Sequence, residues 1–229
     1  MLFIYLLEKG EKSTMEMETR NTNVTENNVV TVSGEIISER EYSHEIYGEK
    51  FYLYHLSVER LSDSFDIIPL VISERLVDLD SLTVGTKVYV TGQFRSYNRH
   101  EEKKNRLILS VFVRELSLKE EGVEDANSIE LNGFICKEPV YRKTPLGREI
   151  CDLLIAVNRP YGKSDYIPCI CWGRNARFAS SLSVGDEVVA YGRIQSRNYL
   201  KKIDGNPDNT EERTAYEVSL NKIFTVNEE

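Results

Sequence analysis

Residues 82–98, LTVGTKVYVTGQFRSYN, return as residues 182–198, LSVGDEVVAYGRIQSRN. Leu82, Val84, Gly85, Val88, Gly92, Ser96 and Asn98 each recur at an offset of 100. Further back the match continues at an offset of 99. VSGEIISEREY from Val32 answers LNGFICKEPVY from Leu131. Gly34 pairs with Gly133, Gly48 with Gly147, Arg60 with Arg159, Asp66 with Asp165, and Pro69 with Pro168. A constant offset broken by one insertion marks a duplicated domain.

Each copy carries the same pattern of elements. Strands are expected at 32–38, 49–60, 65–72, 86–96 and 105–116, and again at 131–137, 148–158, 165–172, 186–197 and 213–225. A short helical stretch, 73–82 or 173–182, separates the third and fourth strands. Five strands with a helix at that place fit a small closed barrel, and an SH3-like barrel has no helix there. The expected fold is all-β, two tandem five-stranded OB-fold barrels. Gly34, Gly92, Gly133 and Gly192 interrupt strands, where they permit bends or close backbone approach.

The chain has 229 residues and is 41% hydrophobic, enough for packed cores. Its net charge of -8 is unevenly spread. Residues 27–118 carry -3, 119–126 carry -3, and 127–226 carry +2. Only the second copy is basic, and a phosphate-binding face needs local rather than total charge. Cys136, Cys151, Cys169 and Cys171 include no CxxC pair, and His44, His55 and His100 lie in the other copy. No metal site, disulfide or cofactor is expected, and a reducing cytoplasm is the default. No Ser-His-Asp arrangement, paired His ligands or phosphate loop argues for an enzyme. The opening run MLFIYLL is too short to span a bilayer and lacks a secretory leader's basic start, so no membrane partner is expected. Residues 1–28 read as disordered or as a mis-assigned extension. The codons of Lys9-Gly10-Glu11 can read as a ribosome-binding sequence, which makes Met15 or Met17 a candidate start.

The third strand of the second copy, Tyr166-Ile167-Pro168-Cys169-Ile170-Cys171-Trp172, points function out. Alternation puts Ile167, Cys169 and Cys171 on the core face and Tyr166, Pro168, Ile170 and Trp172 on the other. Two aromatics on the outer face suit a second core layer, a contact with the other domain, or a platform for stacking bases. The strand alone leaves these open. Its neighbours favour the platform. Tyr161 lies beside Arg159 and Lys163, and Tyr199 lies beside Arg193, Arg197, Lys201 and Lys202. Arg174 and Arg177 follow Trp172, and Arg142, Lys143 and Arg148 lie on the turn before the second strand. Aromatics interleaved with cations are what stacking plus backbone tracking requires.

Further motifs lie along the second copy: Leu131-Asn132-Gly133, Lys137-Glu138-Pro139, Thr144-Pro145-Leu146-Gly147, Ala156-Val157-Asn158-Arg159, Trp172-Gly173-Arg174-Asn175-Ala176, Val184-Gly185-Asp186 and Gly192-Arg193-Ile194-Gln195-Ser196-Arg197. Together they resemble the bacterial single-stranded DNA-binding proteins over nearly the whole copy. The resemblance implies that Tyr161, Tyr166, Trp172 and Tyr199 stack on bases, three of them being tyrosine where the family often has tryptophan. It implies roles in replication, recombination or repair, at the nucleoid. Residues 127–226 are then the DNA-binding domain, 119–126 an acidic linker, and 29–118 a diverged domain with a structural or oligomerising role. The family's tetramers suggest a homodimer here, presenting four OB domains. Family chains commonly end in an acidic tail with a terminal Pro-Phe that recruits repair enzymes. This chain reads Thr225-Val226-Asn227-Glu228-Glu229, so such recruitment is not expected. The positions matching the four aromatics in the first copy are Ser62, Ile67, Ser73 and Arg99, so that copy is expected to bind DNA weakly. Single-stranded RNA, or a protein partner in a replication or phage complex, are the competing ligands.

Overall fold

Alternating burial makes the strands. From Cys151 to Val157 every second residue is buried, as the period of a strand with one face on a core demands. The computed structural model describes residues 26–60, 62, 64–101, 104–203 and 206–226, so the expectations for residues 1–25 lie outside the described residues. The first copy contains β1 (Asn28–Ile36), β2 (Glu41–Ile46), β3 (Glu49–Glu59), β4 (Phe65–Ser73), β5 (Lys87–Glu101) and β6 (Lys104–Leu118). The second contains β7 (Asn127–Ile135), β8 (Val140–Lys143), β9 (Glu149–Arg159), β10 (Lys163–Trp172), β11 (Glu187–Ile203) and β12 (Asn206–Thr225).

Each copy closes on itself. In the first, β1 pairs with β3 and β5, β3 with β4, β5 with β6, and β4 runs parallel to β6. In the second, β7, β9, β10, β11 and β12 repeat those pairings, with β10 parallel to β12. The chain is two tandem OB-fold barrels. Between the third and fourth barrel strands the second copy holds α1 (Arg174–Ala179), whose Ala176 and Ala179 are fully buried. The first copy has only a 3-10 turn, Leu79–Ser81, capped by the Asp78 side chain. Ala176 favours a helix where its match at offset 99, Val77, does not.

Two short strands were not expected. Val140–Lys143 forms β8 on the edge of β9, so Arg142 and Lys143 sit on a strand, and the turn is confined to 144–148. β2 does the same beside β3. Glycine lets long strands cross closely. A Cβ on Gly92 would lie 2.3 Å from the Phe112 carbonyl oxygen, and one on Gly192 would lie 2.3 Å from that of Ser219.

The barrels join through an antiparallel pairing of β1 with β7 that makes one 12-stranded sheet. Val30 faces Ile129, its own match at offset 99, so a pseudo-twofold axis passes between them. The polar contacts obey that axis. Asn28 brackets Phe94 with two backbone hydrogen bonds, and Asn127 brackets Ile194 in the same way. The Ser96 hydroxyl accepts from the Tyr166 amide at 2.7 Å, and the Ser196 hydroxyl accepts from the Ile67 amide at 2.9 Å.

Candidate nucleic-acid interface

Strand register defines the outer face of the second barrel. Trp172 faces Ile150 across β9, Pro168 faces Leu154, and Tyr166 faces Ala156. Ile167, Cys169 and Cys171 turn into the core. Trp172 and Tyr166 remain 39% and 43% exposed, which leaves ring faces open to a ligand. Ile170 shares their face but is buried, so it supports the platform without presenting itself. The Trp172 indole donates to the Ser219 hydroxyl at 3.2 Å, which fixes the ring over β12. On β11, Arg193 faces Ser219 and alternation carries that side through Gln195 and Arg197 to Tyr199, itself 37% exposed.

Tyr161 stands apart. It is fully exposed on the 3-10 turn Pro160–Gly162 and holds φ at +66°. A tyrosine in the left-handed region costs roughly 1 kcal/mol. The backbone accepts that strain while the ring buries nothing.

The cations divide into three groups. Lys143, Arg148, Lys163, Arg174 and Arg197 are exposed around the face, and Lys201 is half-buried. The Lys202 side chain lies outside the described residues. Arg142 forks onto Asp152 at 2.7 and 3.2 Å, and Arg177 binds Glu149 at 2.7 Å. Hydrogen bonds from Tyr141 and then Arg177 hold the Glu149 carboxyl below its ordinary range.

Arg193 and Arg159 reach the boundary between barrels instead. Arg193 lies 3.0 Å from Asp66 of the first barrel, whose side chain is fully buried. Asp66 also accepts from Arg60 and from the Ser196 amide at 2.6 Å. Its match, Asp165, is less well served. It accepts from the Ser96 amide at 2.6 Å, and Arg159 lies 3.0 Å away but poorly aligned for a hydrogen bond. Burial pushes the Asp165 carboxyl up, although the Ser96 amide and then Arg159 and Arg95 pull it down.

The first barrel's matching face lacks those four aromatics, although Tyr97 on β5 and Phe65 on β4 stay 47% and 57% exposed. Ser62, Ile67, Ser73 and Arg99 stand where the second barrel has aromatics. Three of its rings pack on one another: His44 lies parallel to Phe51 at 4.8 Å, and Phe51 lies 5.7 Å from Phe112. Arg95 covers Phe112, its guanidinium 3.7 Å from the ring centre. Burial, with Arg159 and Arg114 nearby, pushes Arg95 down to about 10, so it stays charged near neutral pH. In Phe51-Tyr52-Leu53-Tyr54, Tyr54 is core, while Phe51 is covered from outside by His44. Sequence reading missed Arg95 because its match in the second copy is Gln195. Among the described residues no group of three His, Cys, Asp or Glu side chains converges, and no helix is long and apolar enough to cross a membrane.

The model of the single-strand binding protein family matches residues 126–225. A single-stranded DNA-binding protein of Oceanobacillus iheyensis is 36% identical over 80 residues, 32% of this chain and 50% of that protein. Single-stranded DNA-binding protein A of Bacillus subtilis is 35% identical over 80 residues, 32% of this chain and 46% of that one. The chain thus spans about half the length of the curated relatives it matches. The crystal structure of wild-type single-stranded DNA binding protein from Thermus aquaticus aligns with a TM-score of 0.68, over 88% of this chain and 94% of that chain, at 20% identity. That likeness extends across both barrels and is one of fold.

Proposed function

We propose, from the match of residues 126–225 to the single-strand binding protein family, that this chain belongs to that family and that its second barrel binds single-stranded DNA without reading sequence. Bases stack on Trp172, Tyr166, Tyr199 and Tyr161, and the surrounding Lys and Arg side chains hold phosphates. The observation that carries this reading is the contrast between matching faces. All four aromatic positions of the second barrel are open, whereas the first barrel has no aromatic at any of them. Every base has a π-face, so stacking tolerates any sequence.

In this reading residues 29–118 brace the binding barrel and 119–126 link the two. The protein supports replication, recombination or repair at the nucleoid, and catalyses nothing. Two chains associate to present four barrels, and light scattering at micromolar concentration should give twice the chain mass.

Trp172 is the single tryptophan of the chain, so its fluorescence reports from within the face. Titration with oligo-dT should quench it. The affinity should fall with salt at a slope of about -0.7 per phosphate contacted. Trp172→Ala should weaken binding by about 1–3 kcal/mol, and Trp172→Phe by less. An unquenched tryptophan and an indifferent alanine variant would overturn the proposal.

A further inference from the structure

The two barrels meet at a cleft of about 680 Å³, inside the 300–1,000 Å³ range of ligand sites. Arg95 and Arg114 line it from the first barrel, and Arg159, Lys163 and Tyr161 from the second, with Glu26 also on the lining. Arg114 is there because of a bulge. Glu115 faces Thr91 and Val113 faces Gly92, which leaves Arg114 unpaired in the ladder between them. A bulged residue is re-aimed out of the regular alternation.

The pseudo-twofold axis supplies an internal comparison. The positions matching Arg95, Arg114, Lys163 and Tyr161 are Gln195, Asn221, Ser64 and Ser62. On that side Arg60, Arg193 and Lys119 each have a carboxylate within reach: Arg60 and Arg193 both pair with Asp66, and Lys119 pairs with Asp125. On the cleft side, among the described residues, the four cations Arg95, Arg114, Arg159 and Lys163 have Glu26 on the lining and the buried Asp165 beside Arg159. One member of a symmetric pair has therefore gained positive charge and an aromatic ring. Like-charge crowding of Arg95, Arg114, Arg159 and Lys163 beside two carboxylates leaves an excess of positive charge that favours an incoming anion.

The cleft also continues the stacking face. The Tyr166 amide is tied to Ser96, the residue after Arg95, and Lys163 lies three residues beyond Tyr166 on β10, roughly 10 Å away. We infer that this cleft is a second phosphate-binding site, which leads a single strand off the second barrel and onto Arg95 and Arg114 of the first. The inference rests on the second barrel's face binding single-stranded DNA. It gives the first barrel a direct part in binding.

The test uses the full chain and two oligo-dT lengths. Roughly 10 nucleotides fit one OB barrel, and roughly 30 must leave it. Arg95→Gln with Arg114→Asn installs the residues found at the matching positions, which the same fold already accommodates. The expected result is an unchanged affinity and quench with the short oligonucleotide. With the long one the salt slope should shrink by about 1.4, or about 0.7 for each lost phosphate contact. Arg114→Glu alone should shrink it by at least half as much. Arg75→Gln with Lys50→Asn removes two first-barrel cations outside the cleft and should leave both slopes alone. An unchanged slope in the cleft variants, or an equal loss in the outside variant, overturns the inference while leaving the face intact. If the short oligonucleotide does not quench Trp172 in the parent, the underlying reading fails, and this one with it.

Discussion

Asp66 is sealed from water and accepts from Arg60, Arg193 and the Ser196 amide. Asp66→Ala leaves those donors without their acceptor at the barrel boundary. Breaking a buried ion pair from one side costs about 3–5 kcal/mol, and the partly exposed arginines put the expected loss at the low end, about 3 kcal/mol in urea unfolding. Asp165 makes a different prediction. Burial raises its carboxyl above the unfolded value near 3.9, so the folded state holds the proton more tightly. Its contribution is fully present below that unfolded value and is lost as pH rises through the raised one. Asp165→Asn does not titrate. The stability of the parent relative to this variant should therefore decline from about pH 4 toward neutrality. Thermal unfolding of both across that range checks the sign, and a rising difference would refute it. The repeat matched Arg60 with Arg159 and Asp66 with Asp165. It did not show that they seal a boundary, because two charges six residues apart read the same whether they face water, phosphate or another barrel. Trp172 and Tyr166 were legible for a simpler reason: an aromatic out of phase with buried neighbours on a strand has only the outer face to occupy.

Strands with one face on a core announce themselves through alternation, and β1, β3, β4, β7, β9 and β10 begin and end within a few residues of where the pattern puts them. β8 did not, since all four of its residues are exposed and nothing apolar marks the period. Its hydrogen bonds to β9 come from an edge that any extended segment could fill. The interrupting glycines have a testable meaning at this scale. Gly192→Ala sets a methyl group 2.3 Å from the Ser219 carbonyl, and backbone cannot swing aside as a side chain can. β11 and β12 must part to admit it. The urea midpoint should fall by an amount equivalent to about 1–3 kcal/mol, at an unchanged dependence on urea. A variant as stable as the parent would show that the ladder yields freely there.

The duplication was legible in the sequence, but the joint between the copies was not, because β1 and β7 carry the same apolar alternation whether they lie on an edge or inside a sheet. The register across that joint predicts what half the chain does alone. Residues 127–226 expose β7 as an open edge whose natural partner is its own repeat. In isolation this half should pair β7 with β7 of a second copy about Ile129, and light scattering should give twice the fragment mass. A monomeric fragment would mean that β1 supplies contacts which β7 cannot. The same joint has a genetic consequence. In a symmetric pair of identical subunits, one codon change appears at both ends of the dyad, and a mutation that opens one face must open the other. Once the two halves share a reading frame, each position mutates singly. Gln195 opposite Arg95 and Ser73 opposite Trp172 are changes that a homodimer cannot make on one side only.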